Sequence, residues 1–287
     1  VADISAQVVK ALREQTGAGM MDCKRALAEA GGDVEKATLV LRERGLAKAG
    51  KREGRATSEG VIAVSLAGGA GGMVELACET DFVARTDDFQ ALAASLARAV
   101  AADAALGSAA GLLEARVSGE PVRDAVAAAI AKLGENVVIK RVARIAVKGG
   151  LVGGYVHAGG KLGVLVGIAG EGSSREAVAK DVAMHVAAAD PSPVAVTRDG
   201  VSPELLASER EIYRRQAQKE GKPEKVIDRI VDGKLAKFVA DICLVEQPFV
   251  KDPDRSVGDL LKSAGGLTVT GFSRFKLGQA AGEADAG

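Results

Sequence analysis

The sequence predicts an α+β protein: an N-terminal three-helix bundle, two duplicated α+β subdomains with antiparallel sheets, and an inserted antiparallel helical hairpin. Three observations lead there. The first 45 residues carry apolar side chains at helical spacing, with capping and breaking residues between the runs. From Gly60 the pattern changes to short apolar runs parted by glycine clusters. The order strand, glycine turn, strand, helix then returns about 90 residues later, Leu151 standing where Val61 stood.

The elements follow in order. Ser5 is placed to cap a first helix, with Ile4 and Val9 as a hydrophobic staple and Val8, Val9 and Leu12 as its apolar face. Thr16-Gly17-Ala18-Gly19 breaks it. Met20, Cys23, Leu27 and Ala30 lie at helical spacing in a second helix, which Gly31-Gly32 stops. Asp33 caps a third, with Val34, Ala37 and Leu41 inward and Gly45 as its expected end. Lys48 to Arg55 is basic, glycine-containing and without apolar period, and reads as a solvated linker or a contact for an acidic partner. Val61–Leu66 and Met73–Cys78 are strands about a turn expected over Ala67–Gly72, and Phe89–Val100 is a helix. An alanine-rich, mostly helical stretch runs to Leu133, followed by a strand over Val137–Val147. The second copy has strands at Leu151–His157 and Leu162–Ile168 and a helix at Glu176–Ala189.

Ser202-Pro203 opens the hairpin, with helices over Leu205–Lys219 and Glu224–Lys237. Leu205, Ile212 and Tyr213 are expected on one side of its seam, and Ile227, Ile230, Val231 and Leu235 on the other. Val239–Leu244 returns to the compact body, Val257, Leu260 and Leu261 suggest a short helix, and Leu267–Leu277 closes as a strand. The expected divisions are residues 1–47 for the bundle and 48–57 for the linker. The first subdomain is 58–149, the second 150–200 with 238–277, and the hairpin 201–237. Residues 278–287 read as a disordered tail.

Composition narrows the function. With 47% hydrophobic and 26% charged residues, this is a folded chain. Lys+Arg and Asp+Glu are both 38, so the basic excess of a nucleic-acid-binding protein is missing. Cys23, Cys78 and Cys243 are scattered, as expected of reduced thiols in a cytoplasmic protein, and no membrane span or signal pattern is expected. Gly45–Arg52 spells GxxxxGK, but Arg52 stands where a phosphate loop needs Ser or Thr, and a helix precedes it instead of a strand. His157 and His185 have no Cys or second His at metal-ligand spacing. On spacing alone His157 is a strand-end rim residue and His185 a packed helix residue. No nucleophile elbow appears. The expectation is a protein that acts by binding: not an enzyme, with no cofactor and no metal.

The stretch with most to say is Glu79-Thr80-Asp81-Phe82-Val83-Ala84-Arg85, at a strand-to-helix corner where side chains project from a rigid scaffold. An aromatic beside an Asp at a corner suits a partner anchor. Spacing alone leaves a second reading level with it: Phe82 tucked under its own helix.

The corner and the run Thr16-Gly17-Ala18-Gly19-Met20-Met21-Asp22-Cys23-Lys24-Arg25-Ala26-Leu27 together resemble the bacterial elongation factor Ts family. So do Leu133-Gly134-Glu135-Asn136, Met184-His185-Val186-Ala187-Ala188, Gly221-Lys222-Pro223, Gln247-Pro248-Phe249-Val250 and Gly271-Phe272-Ser273-Arg274-Phe275, in family order. The resemblance implies a guanine-nucleotide exchange factor whose partner is the translational GTPase elongation factor Tu. It implies that the bundle is a ubiquitin-associated-like module docking on the nucleotide-binding domain. It implies that Thr80, Asp81, Phe82 and Val83 disturb the partner's Mg²⁺ site, Phe82 wedging between helices of the GTPase. His157, Met20, Met21 and Lys51 are further partner contacts in this reading. The hairpin corresponds to the family's projecting coiled coil and offers a surface through which a homodimer could form. The alanine content of Ala101–Lys132 and the short tail after Leu277 depart from the family pattern. Two rivals stand beside this reading: a translation-associated RNA-binding protein, suggested by Lys48 to Arg55, and an enzyme with an unrecognised carboxylate site.

Overall fold

The computed structural model describes residues 4–172 and 174–279; most of the expected disordered tail lies outside the described residues. The chain opens with α1 (Ala6–Thr16), α2 (Met20–Glu29) and α3 (Val34–Arg52). Ser5 and Asp33 cap α1 and α3 through their side chains, satisfying backbone N–H groups that have no partner within the helix. Val9, Leu12, Cys23, Ala26, Leu27 and Ala37 form their shared core. Gly45 does not end α3. The helix runs on to Arg52 and takes in half of the expected linker. α3 packs along the later helix α7, and a Cβ at Gly45 would rest 3.8 Å from the Ala127 carbonyl and the Ala131 Cβ, ordinary van der Waals contact. That packing carries the helix through Gly45, against the roughly 1 kcal/mol that a mid-helix glycine loses relative to alanine.

There follow β1 (Glu59–Ala67), β2 (Ala70–Cys78), α4 (Asp81–Ala84), α5 (Asp87–Ala102) and α6 (Ala109–Glu114). A two-residue-strand hairpin, β3 (Arg116–Val117) and β4 (Glu120–Pro121), leads to α7 (Val122–Leu133) and β5 (Val138–Ala146). The first hairpin turn is tighter than expected. Ala67 pairs with Ala70, so only Gly68 and Gly69 turn, while Gly71 and Gly72 belong to β2. The second half holds β6 (Leu151–Val156), β7 (Leu162–Ala169) and α8 (Arg175–Ala188). Next come α9 (Pro203–Lys219) and α10 (Glu224–Ile242), then β8 (Pro248–Phe249), β9 (Asp252–Ser256), α11 (Val257–Ser263) and β10 (Thr268–Lys276). Two antiparallel three-stranded sheets result, in the orders β1-β2-β5 and β10-β7-β6. Helix and antiparallel sheet thus combine as α+β.

The sheets pack face to face. Ile62, Met73, Val147, Val152, Leu165 and Phe275 fill the space between them. The outer face of the first sheet is covered by α4 to α7, through Val74, Leu76, Phe89, Leu96, Leu112 and Val126. The outer face of the second is covered by α8 and α11, through Val164, Val166, Val182, Val186 and Leu260. Sheets covered on both faces need apolar side chains at odd and even positions alike, which is why these strands read as continuous apolar runs. Among the side chains between the sheets is one buried ion pair. Glu75 faces Arg141 across β2 and β5, with Arg141 Nε donating to Glu75 Oε2 at 2.6 Å. Arg141 also donates to the Lys276 carbonyl at 2.9 Å and lies over the Phe275 ring, tying the second sheet to the first.

In the hairpin, Ser202 caps α9 with Pro203 in the first turn. Its seam is Ala217, Ile227 and Val231 with Tyr213 and Ile230; Ile212, expected there, is exposed. Tyr213 and Ala217 are four residues apart and share a face, which turns Ile212 about 100° away. α10 continues past Lys237 to Ile242, so the return to the body begins as helix. His185 anchors the base of this insertion. The Val250 N–H donates to its Nδ1 at 3.2 Å, so its proton sits on Nε2, 3.0 Å from Gln247 Oε1. Gln247 in turn donates to the carbonyls of Pro191 and Asp241. Burial holds the His185 pKa below the usual histidine range, against the opposing effect of the Gln247 hydrogen bond.

Two predictions follow from this packing. At Gly163 an added Cβ would sit 2.5 Å from Ile62 Cγ2 and 3.2 Å from Met73 Sδ. Gly163→Ala is therefore expected to lower stability by about 1–3 kcal/mol, read as a lower urea midpoint at unchanged slope. His185 is neutral when folded, and the unfolded chain takes up its proton near pH 6.5. The unfolded state then binds more protons between that pH and the lower folded pKa. Stability should be full above about pH 6.5 and fall as pH drops below it, and His185→Gln should flatten that part of the urea-midpoint profile from pH 8 to 5.

Candidate functional site

The corner forms because β2 ends at Cys78 and Thr80 starts a new helical turn. Thr80 has extended backbone, and its hydroxyl accepts from the Val83 N–H. The Cys78 thiol, pushed up to about 12 by burial and then by the nearby Glu135 charge, keeps its proton and donates to the Thr80 carbonyl at 3.1 Å. Thr86 caps α5 a few residues later, and Gln90 Nε2 donates to the Ala84 carbonyl at 2.6 Å. The loop is thus pinned from both ends.

A second segment holds it from the side. Glu135 Oε2 accepts from the backbone N–H of Glu79 at 3.1 Å and of Thr80 at 2.9 Å, and Oε1 accepts from the Thr80 hydroxyl at 2.5 Å. The exchange is mutual, since the Asn136 N–H donates to Glu79 Oε1 at 2.7 Å. Asn136 Nδ2 also donates to the Arg55 carbonyl at 3.0 Å, and Arg55 pairs with Glu79 at 3.6 Å. Three stretches of chain therefore meet here: the approach from α3, the corner, and the start of β5. Sequence reading placed Glu135 and Asn136 in a matching motif without a role. No periodicity marks them, because they act through side-chain bonds to a segment more than 50 residues away.

Phe82 stands clear of all this. It is 81% exposed, so the ring does not tuck under its own helix. Asp81 is half-buried and pairs with the exposed Arg85 at 2.9 Å. Val83, expected among the contact residues, points the other way and is buried in the core beneath α5. The four corner residues thus divide. Thr80 and Val83 hold the turn; Asp81 and Phe82 are presented.

The remaining candidates lie on other elements. His157 follows β6, exposed at the turn into β7, with Tyr155 Oη 3.0 Å from its Nδ1. That turn packs on the first sheet, Gly160 accepting from the Ile62 N–H and Lys161 pairing with Glu59. Met20 and Met21 begin α2 and are 45% and 63% exposed. Lys51, near the end of α3, lines a shallow hollow with Arg25, Arg44, Lys48, Asp22 and Ala47. Arg25 and then Lys48 hold the Asp22 carboxyl below the usual carboxylate range. An open cleft of about 430 Å³ runs between α3 and α7, but none of these candidates lines it. They occupy exposed positions on α2, on α3 and after β6, and the cleft brings none of them together. Among the described residues no cluster of His, Cys, Asp and Glu has metal-binding geometry, and no helix is long and apolar enough to cross a membrane.

A family model described as "Elongation factor TS" matches residues 79–279, beginning at the first residue of the corner. The chain is similar to Elongation factor Ts of Chlorobium phaeobacteroides (strain BS1), 46% identical over 291 residues, covering 97% of this chain and 100% of that one. It is similar also to Elongation factor Ts of Clostridium perfringens (strain SM101 / Type A), 44% identical over 286 residues, covering 96% of this chain and 93% of that one.

The Thr80 hydroxyl both caps α4 and donates to Glu135. Thr80→Val removes both roles at similar volume and should destabilise the corner by about 1–2 kcal/mol. Faster tryptic cleavage after the exposed Arg85, with cleavage elsewhere unchanged, is the expected result of limited proteolysis.

Proposed function

The chain belongs to the elongation factor Ts family, and on that premise we propose that it is a guanine-nucleotide exchange factor for the translational GTPase elongation factor Tu. The observation that carries the proposal is Phe82: a large ring, 81% exposed, on a corner immobilised by hydrogen bonds. A protein keeps an aromatic side chain in water only at a cost, and such residues anchor interfaces.

The physics of exchange asks for this arrangement. GDP is gripped through its phosphates and the Mg²⁺ beside them. A partner that binds well only when the metal site is distorted weakens GDP, and by linkage GDP weakens that partner to the same degree. Such a factor needs a broad surface and a stiff wedge. In this reading Phe82 enters between helices of the GTPase beside its metal site, with Asp81 next to it, and Thr80 and Val83 brace them. The α1–α3 unit, a ubiquitin-associated-like module, docks on the nucleotide-binding domain through Met20, Met21 and the basic hollow that includes Lys51. His157 makes a second, distant contact. The two sheets with their covering helices are the duplicated subdomains, at residues 58–149 and at 150–200 with 238–277. The α9–α10 pair is the projecting coiled coil, a surface also open to homodimer formation. The factor acts in the cytoplasm and performs no chemical step itself.

The test is release of a fluorescent GDP analogue from purified elongation factor Tu. Wild-type protein should accelerate release strongly. Phe82→Ala should reduce the acceleration by about tenfold or more, the loss typical of a buried aromatic anchor. No acceleration by the wild type would overturn the proposal; equal acceleration by the variant would move the work to other contacts.

A further inference from the structure

The corner poses a problem of its own. Four residues of helix cannot hold a conformation alone, because nucleating a helical turn in water is unfavourable. A ring left in solvent on such a turn would sample many positions. Each would have to be given up on docking, and that ordering reduces the interaction available to distort the partner. Something outside the turn must hold it.

Cys78, Gln90 and the buried Val83 pin the corner from within its own stretch of chain, and Glu135 reaches it from a distant one. Glu135 stands just after α7, whose C-terminus is closed by Gly134 in the left-handed conformation. Its two carboxylate oxygens accept three hydrogen bonds, and all three donors belong to Glu79 and Thr80. Those are the two residues immediately before Asp81-Phe82. Both backbone donors point the same way at one oxygen, while the other oxygen takes the hydroxyl that caps α4. This is a carboxylate reading a backbone, with bonds of the stronger, charge-assisted kind. Asn136 adds the return bond to Glu79 and ties the group to Arg55, on the segment arriving from α3. Glu135 itself does not reach the exposed ring.

We propose that Glu135 is a positioning residue for nucleotide exchange, which locks the Glu79–Thr80 backbone so that Phe82 projects in one orientation before the partner arrives. The role rests on the exchange-factor reading above and deepens it. Glu135 acts on rate through Phe82 and makes no contact with nucleotide. Docking through Met20, Met21, Lys51 and His157 does not pass through it. Loss of Glu135 therefore lowers the maximal rate of GDP release more than it weakens binding of the factor.

The experiment measures GDP-analogue release from elongation factor Tu against factor concentration, for the full chain and its variants. Glu135→Ala should lower the maximal rate by about tenfold or more, the loss expected when hydrogen bonds to a charged group are removed. The half-saturating concentration should stay within about twofold, since the other contacts are retained. Glu135→Gln, which can keep an oxygen facing both N–H groups, should restore most of the rate. In a Phe82→Ala background, Glu135→Ala should change the rate by less than about twofold, because its route is already cut. If Glu135→Ala does not fold, Glu135→Asp carries the same test, its shorter stem being unable to reach all three donors. A wild-type maximal rate in Glu135→Ala overturns the inference and leaves the exchange reading standing. So does an effect that multiplies in full with Phe82→Ala, which would mark a general loss of structure. No acceleration by the wild type overturns the exchange reading, and this role with it.

Discussion

The structure depends on how closely its two sheets approach. Glycines at 71, 154 and 163 face the opposite sheet, where a single methyl would meet Val152, Val64 or Ile62 inside van der Waals distance. Into that narrow space the chain also places Glu75 and Arg141. A buried ion pair is weak evidence for stability, since desolvation offsets most of the attraction. Its effect here is on register. Glu75 and Arg141 stand directly opposite one another next to the β-bulge in β5. A slip of one residue between β2 and β5 would turn one of the two charges to the helix-covered face and leave both without a partner. With Arg141 also bonded to the Lys276 carbonyl and stacked on Phe275, the same pair fixes β10 against β5.

Once β2 is held on both faces, its end is held too, and the corner begins there. Cys78 is fully buried, and the next residues turn outward under the control of Glu135 and Asn136. Rigidity and exposure are ordinarily opposed, because exposed side chains lack the packing that would order them. Here they are separated by residue. Thr80 and Val83 take the hydrogen bonds and the packing, leaving Phe82 free to face solvent. The carboxylates of Glu75, Glu79 and Glu135 are occupied in holding backbone and arginine.

Local chemistry was legible in the sequence. Ser5, Asp33 and Ser202 cap helices as their type and position indicate, since a cap is decided by a few neighbouring atoms. The long strands lie where apolar runs predict them, because both faces are covered. The departures share one cause. Gly45 sits inside a helix, Gly71 and Gly72 inside a strand, and Ile212 outside the seam it was expected to line. In each case the deciding neighbour lies elsewhere in the chain: the packed helix α7 for Gly45, Val152 and Leu165 for Gly71, the facing helix α10 for the seam. A glycine is a breaker by local propensity and a site of close approach by packing, and the residue type is the same for both. The hairpins β3–β4 and β8–β9 were missed because strands of two to five residues are too short to show a period.

For the candidate site the division is similar. The sequence by itself determined that a Thr-Asp-Phe stretch follows a strand and precedes a helix, and that no metal-ligand or phosphate-loop spacing competes with it. It could not decide between a ring tucked under a helix and a ring in water. Only the tertiary structure settled that, by burying Val83 and exposing Phe82 at consecutive positions. It alone also brought Glu135 and Asn136 against Glu79 and Thr80, across more than 50 residues of chain. The physical reason is range. Propensity and capping act within a turn or two of chain, whereas burial and side-chain bonds to a distant backbone exist only after the sheets and their helices have packed.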